Sequence, residues 1–262
     1  MDIAAVVGSF LGLFAIVGGQ LLEGGHIGQI MQGTAAIIVV GGTLGAMLVA
    51  YPTEDIIRAV QMIPVIYKKV DMDFRPVIEE IVRIATIARK EGVLAVEGQK
   101  DTIQNEMFKR SIKFVIDGFE PNTVKEILET EIYITFEEEE MAGKVFEGAG
   151  GFAPTIGIIG AVLGLIHVMS MLNDPSKIGD GIAVAFVATV YGVGLSNLIL
   201  IPWGTKLKRK AQQRMMVKEV IRLGVTGIQE GLNPHFLKEK LEVFLEEHLR
   251  GGGGHGGGDA KA

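Results

Sequence analysis

Residues 152–172 read FAPTIGIIGAVLGLIHVMSML, and residues 182–203 read IAVAFVATVYGVGLSNLILIPW. Neither stretch holds a Lys, Arg, Asp or Glu. Each is long enough to cross a hydrocarbon core of about 30 Å as a helix. Only Asn173–Gly181 separates them, so the pair reads as a helical hairpin. The pattern occurs again nearer the N-terminus, where Ile3–Leu22 and Gly33–Tyr51 are apolar runs joined by Glu23–Gln32. The fold class that follows is an all-α integral membrane protein, with four transmembrane helices in two hairpins.

Charge gives the orientation. Met1–Ile57 holds no Lys or Arg, and Gly148–Trp203 holds only Lys177. Residues 52–147 hold 13, and Lys206–Arg222 holds seven. By the positive-inside rule both hairpin tips face outward and both termini are cytoplasmic. Tyr51 and Trp203 mark the cytoplasmic ends, where amphipathic rings prefer the interface. The chain therefore divides into a hairpin at 1–51, a large helical cytoplasmic insert at 52–150, a second hairpin at 151–203, cytoplasmic C-terminal helices at 204–250 and a disordered Gly-rich tail at 251–262.

Composition agrees. The 262 residues are 48% hydrophobic with mean hydropathy +0.36, too apolar for an ordinary soluble domain, yet 21% charged, too polar for spans alone. No cysteine is present, which excludes disulfides, thiol catalysis and Cys-based metal sites. The net charge of −6 argues against nucleic acid. Met1-Asp2 lacks the positive n-region of a cleaved signal peptide.

Within the insert, Asp73 is placed to cap a helix running to Lys90 with Gly92 as its stop, and Ile78, Ile81, Val82 and Ala85 share one face. A second helix is expected over Ile103–Ile116, ending at Asp117-Gly118. A third starts after Pro121-Asn122 and meets no breaker before Gly143, so it points into the third span. It carries the acidic run Glu137–Glu140, read as a solvated face. Asn233-Pro234 reads as the start of a last helix, Pro234–Leu249.

No soluble catalytic constellation is present, so no enzyme and no cofactor are expected. Five scattered His residues, His255 of the tail among them, offer no metal-ligand spacing. Chemistry, if any, lies in the membrane. Small residues form a face at Pro154, Gly157, Ala161 and Gly164 in the third span, and another at Ala185, Thr189, Gly192 and Ser196 in the fourth. Such faces allow close helix approach. They either pack the two hairpins together or line a conduit around a foreign helix. Carboxylates stand only at the ends of the apolar runs: Asp2, Glu23, Asp174 and Asp180. Ion-coupled devices keep an ionisable group at depth. An ion conductor built from this chain therefore takes its key carboxylate from a partner. His167 is the one titratable residue well inside a span; it either relays protons or sits neutral and hydrogen-bonded in the bundle. Pro154 and Pro202 are expected to break two helices, as static kinks or as hinges that pass motion to the insert.

Four segments resemble the A-subunit family of the bacterial flagellar motor stator, MotA/PomA. They are Ile37-Ile38-Val39-Val40-Gly41-Gly42-Thr43, Ala88-Arg89-Lys90-Glu91-Gly92-Val93-Leu94, Pro154-Thr155-Ile156-Gly157-Ile158-Ile159-Gly160 and Ala185-Phe186-Val187-Ala188-Thr189-Val190-Tyr191-Gly192. The likeness covers all but the Gly-rich tail. It implies a homo-oligomer, a pentamer, in the bacterial inner membrane, around B-type subunits whose single transmembrane helix carries an Asp. Ion flux through the complex would drive torque on the rotor switch protein FliG. The resemblance makes Pro154 and Pro202 the hinge prolines and Arg89 and Glu97 the rotor-binding charges. It places Thr189, Ala161 and Thr155 on the ion pathway, with Thr189 beside the partner's Asp. Sodium-driven relatives carry hydroxyls where this chain has Ala161, and an acidic residue where it has Gln32, so the transported ion is expected to be H⁺. Two other readings compete. An ExbB/TolQ-like energiser shares the small faces but has three spans, against the charge-free hairpin Met1–Tyr51 here. A non-conducting membrane scaffold would not need Thr189.

Overall fold

The computed structural model describes residues 1–70, 73–171 and 175–245, the side chains at 175–177 and 180 excepted. Asp174, the tail 251–262 and the expected end of the last helix at Leu249 lie outside the described residues. Among the described residues every regular element is helical. Four helical segments are long and apolar enough to span a membrane: Ile3–Leu22, Ile27–Ala50, and stretches within Pro121–Ser170 and Gly181–Gln229. The chain forms two compact units, Met1–Lys69 with Glu137–Ala211, and Val70–Phe136 with Gln212–Ala262.

In the second unit the helix Arg75–Glu91 starts two residues after Asp73. Pro76, which needs no N–H partner, occupies its first turn, and Asp73 instead accepts the N–H of Arg75 and pairs with its guanidinium. The helix stops at Gly92, whose φ of 90° suits glycine alone. Val93–Thr102 then runs as 3₁₀ turns, and the next helix begins at Glu106, three residues later than Ile103. Asn105 caps it by accepting the N–H of Phe108. Ile78, Ile81 and Ala85 are buried as their spacing predicts, against Phe108, Ile112, Leu128, Val220 and Leu237. Each of the large side chains contributes about 1.5–3 kcal/mol by leaving water. Arg222, nearly buried among them, is held by Glu219 and Glu129. The Glu219 hydrogen bond chiefly raises its pKa further, as a poorly solvated guanidinium requires.

In the first unit the long helix Pro121–Ser170 contributes its residues from Glu137 onward. Its acidic run is not wholly solvated: Glu138 faces Arg58 at 3.4 Å and Glu140 pairs with Lys144. Tyr51 donates to the Lys144 carbonyl at 3.1 Å, and Trp203 stands edge-on to Phe146 at 5.6 Å. Met47, Ile66, Phe146 and Leu207 fill the space between.

Lys210 is the most buried charge of this unit among the described residues. Its Nζ donates to the carbonyls of Val65, Ile66 and Lys68, the open end of the short helix Ile63–Tyr67, and lies 3.3 Å from Asp2. Lys206 pairs with Asp2 at 2.7 Å, and the Asp2 N–H reaches the Tyr67 carbonyl. Asp2 also caps the first span by accepting the N–H of Ala5. Hydrogen bonding to Lys206, chiefly, holds the Asp2 carboxyl at about 2, against an ordinary 3.8. The unfolded chain takes up this proton first. The stabilisation is therefore full above about pH 4 and is lost as pH falls toward 2. Lys210→Met keeps the stem's packing but leaves three carbonyls short of a donor. It is expected to cost about 2–4 kcal/mol, measured as earlier thermal unfolding of the purified protein.

Candidate functional site

The third and fourth spans touch through their backbones. A Cβ added at Gly157 would stand 2.8 Å from the Ala188 carbonyl oxygen, and one at Gly164 2.9 Å from Ala185 Cβ. At Gly192 it would stand 2.5 Å from the Ala153 carbonyl oxygen and 3.2 Å from Pro154 Cα. Small residues are therefore required at these points. The contact continues toward the chain's basic end. There Gly143 and Gly204 meet backbone to backbone, and Lys208 pairs with Glu147 at 3.0 Å.

The small faces thus pack the two spans of one hairpin against each other first, and the second span of the other hairpin packs onto the same seam. Most of the face read from the spacing is in the seam, Gly157, Gly164, Ala185 and Gly192 among it, and only Ala161 and Thr189 are displaced. Gly160 and Ala188 are buried in the seam, where a Cβ on Gly160 would meet Ala188 Cβ at 2.9 Å. Ala161 and Thr189, one residue on in each helix, are only half-buried. A period of 3.6 leaves adjacent positions both near the stripe, and counting alone could not choose between them. The second span joins the same cluster through Ile38 beside Gly160, Ile156 beside Gly42, and Ala35 and Val39 against Val187 and Ala188.

Thr189 lines a groove of about 750 Å³ whose walls come from the first span (Leu13, Val17), the second (Val39, Val40) and the fourth (Asn197, Leu198). Thr155 is exposed and its hydroxyl donates to the Phe152 carbonyl at 2.8 Å. Thr155, Ala161 and Thr189 are all outside the glycine seam, on faces left open in the single chain. His167 lies on the exposed side of its helix. Gln32 donates its backbone N–H to Tyr191 Oη, which itself donates to the Ile30 carbonyl at 2.6 Å. Glu23 is exposed, and no group of three His, Asp or Glu that could hold a metal occurs among the described residues.

Neither proline breaks its helix, in contrast to the expectation. Pro154 sits inside the continuous helix Pro121–Ser170. Pro202 is the second residue of the helix Ile201–Gln229, directly after a π turn, Ser196–Leu200. A π turn shifts the hydrogen-bond register by one, which absorbs the missing N–H without ending the helix. Arg89 occupies the last turn before Gly92 and Glu97 the 3₁₀ segment after it; both are exposed, and neither forms an ion pair among the described residues.

Comparison with known proteins decides the family. Residues 6–92 match the model for the motility protein A N-terminal region, and residues 99–220 match that for the MotA/TolQ/ExbB proton channel family. Motility protein A of Helicobacter pylori is 34% identical over 245 residues, 94% of this chain and 95% of its own length. The chain belongs to the motility protein A family. Its fold matches that of the Campylobacter jejuni MotAB structure with a TM-score of 0.86 at 29% identity, covering 94% of this chain and 97% of that one. The flagellar MotAB stator complex of Bacillus subtilis gives a TM-score of 0.83 at 28% identity, over 94% and 97%. This family member is thus a multi-pass membrane protein and a subunit of the flagellar stator. Sequence reasoning missed Gly160, Ala188 and the two π turns, Ile37–Gly41 and Ser196–Leu200. A clue was in the text: Gly-Gly at 41–42 and Ser-Asn at 196–197 are weak helix formers inside otherwise strong spans.

Proposed function

We propose that this chain, with a B-type subunit, forms the proton channel of a flagellar stator, and that a ring of five copies turns around the partner's single spans. The observation that carries the reading is a fold match to a MotAB complex over 94% of the chain. The outward hairpin tips and cytoplasmic termini rest on the Lys/Arg map. The partner's Asp takes up the ion beside Thr189, Ala161 lines the same path, and Thr155 stands nearer the cytoplasmic end. The ion is H⁺ in this reading, because Ala161 offers no oxygen to replace the water of a bare Na⁺. Pro154 and Pro202 adjust the hairpin as the Asp loads and unloads. The role is mechanical and needs no cofactor.

Deleting the gene tests the stator role. Non-swimming cells with normal filaments by electron microscopy support it; swimming cells with a single stator system contradict it. Speed that collapses with a protonophore but is indifferent to Na⁺ replacement supports the ion assignment.

Arg89 and Glu97 contact FliG in this reading. Exposed charges suit a contact that must form and release quickly. Arg89→Glu is expected to reduce motor torque several-fold at unchanged protein level, since like charges across an interface cost several kcal/mol, roughly. A reversed charge on FliG is expected to restore it, as read by tethered-cell rotation.

A further inference from the structure

Pro154 removes one backbone donor from the third span. In a regular helix that donor serves the carbonyl four residues earlier, here Gly150. The Gly150 carbonyl nevertheless has a partner. Ser196 Oγ of the fourth span donates to it at 2.6 Å, and Ser196 is 1% exposed. Ser196 is also the first residue of the π turn Ser196–Leu200, and the N–H of Ile201 reaches back to its carbonyl. Pro202 follows immediately. One serine thus serves both prolines: its hydroxyl replaces the donor that Pro154 lacks, and its backbone opens the turn that accommodates Pro202.

We propose that Ser196 is a positioning residue of the torque hairpin, bolting the third span at Pro154 to the fourth at Pro202 so that the two prolines move as one body and not as independent hinges. This rests on the stator reading above. A soft proline hinge needs an unpaired carbonyl and room to bend. Here the carbonyl is paired and the room is closed. A Cβ on Gly150 would lie 2.6 Å from Ile201, and one on Gly192 3.2 Å from Pro154 Cα. Thr205 and Lys208 hold Glu147 one turn below. The hydroxyl matters more than its single bond suggests, because a buried carbonyl in a membrane has no water to turn to.

The test is a double-mutant cycle on the purified stator complex, joined to torque in cells that carry no other stator. Ser196→Ala is expected to lower the melting temperature by roughly 2–4 °C, the size for one buried hydrogen bond in a chain of this length. Pro154→Ala returns an N–H to Gly150, so adding Ser196→Ala to that background is expected to cost less than roughly a third as much. Equal losses in both backgrounds would overturn the bond's assigned role. In the cells, Ser196→Ala at wild-type membrane levels is expected to lower torque per stator by about twofold or more. Unchanged torque would overturn the positioning role while leaving the stator reading intact. A wild-type chain that drives no rotation in the same cells would overturn both, and the melting cycle would still report on the bond alone.

Discussion

Gly192→Val is expected to remove the protein from the membrane in folded form. The added Cβ would stand 2.5 Å from the Ala153 carbonyl oxygen, 3.1 Å from Gly157 Cα and 3.2 Å from Pro154 Cα. All three neighbours are backbone atoms of a helix that the second span itself holds, Ile38 against Gly160 and Gly42 against Ile156. No flexible side chain can give way, so the two helices must separate along the seam. Overpacking of this kind costs about 3 kcal/mol, the upper end of its usual range, and separation also forfeits the contacts at Gly157, Gly160 and Gly164. A protein with only about 5–15 kcal/mol of total stability loses much of its folded population that way. The measurement is membrane level by immunoblot together with thermal unfolding in detergent. Gly194→Val is the control. A Cβ there meets nothing within 4 Å, and normal level is expected.

Thr189→Val is expected to give the opposite pattern, a normal amount of protein without function. Thr189 is half-buried, borders the open groove and stands outside the glycine seam. Valine has the same shape and the same preference for one rotamer in a helix, so packing is preserved. What goes is a hydroxyl on a mostly apolar wall. If that hydroxyl hydrogen-bonds the partner's carboxylate as the ion binds, its loss removes a bond of about 1.5–3 kcal/mol. Each 1.4 kcal/mol is about tenfold in rate, so a fall in motor speed of about tenfold or more is expected. Thr189→Ser, which keeps the oxygen, is expected to retain rotation. Loss in the serine variant as well, or rotation unaffected by valine, would take Thr189 off the ion path and favour the scaffold reading.

The spans and the helix stops at Gly92 and Gly118 were legible because each rests on a local rule: run length, breaker residues, or the missing Cβ of glycine. The seam was legible only in kind. Small residues announced a close approach, but choosing Gly160 and Ala188 over Ala161 and Thr189 needs the rotation of each helix, which the second span sets through Ile38 and Val39. The prolines misled for a related reason. What a proline costs a helix depends in part on whether the freed carbonyl finds another partner, and the partner of Gly150, Ser196, lies 46 residues away in sequence. Lys210 was equally hidden: within the basic stretch Lys206–Arg222 it looks like its neighbours, yet three carbonyls and Asp2 bury it. Arg89 and Glu97 are proposed as rotor contacts on the likeness to the family alone, since two exposed charges on consecutive elements carry no signal of their own.

The most direct measurement of the central claim is rotation speed of a single motor while this chain and its B-type partner are induced in cells without other stators. The account predicts that speed rises from zero in discrete, equal steps, one per incorporated unit, and that a protonophore returns it to zero. A motor that stays at rest while both chains accumulate in the membrane would contradict it.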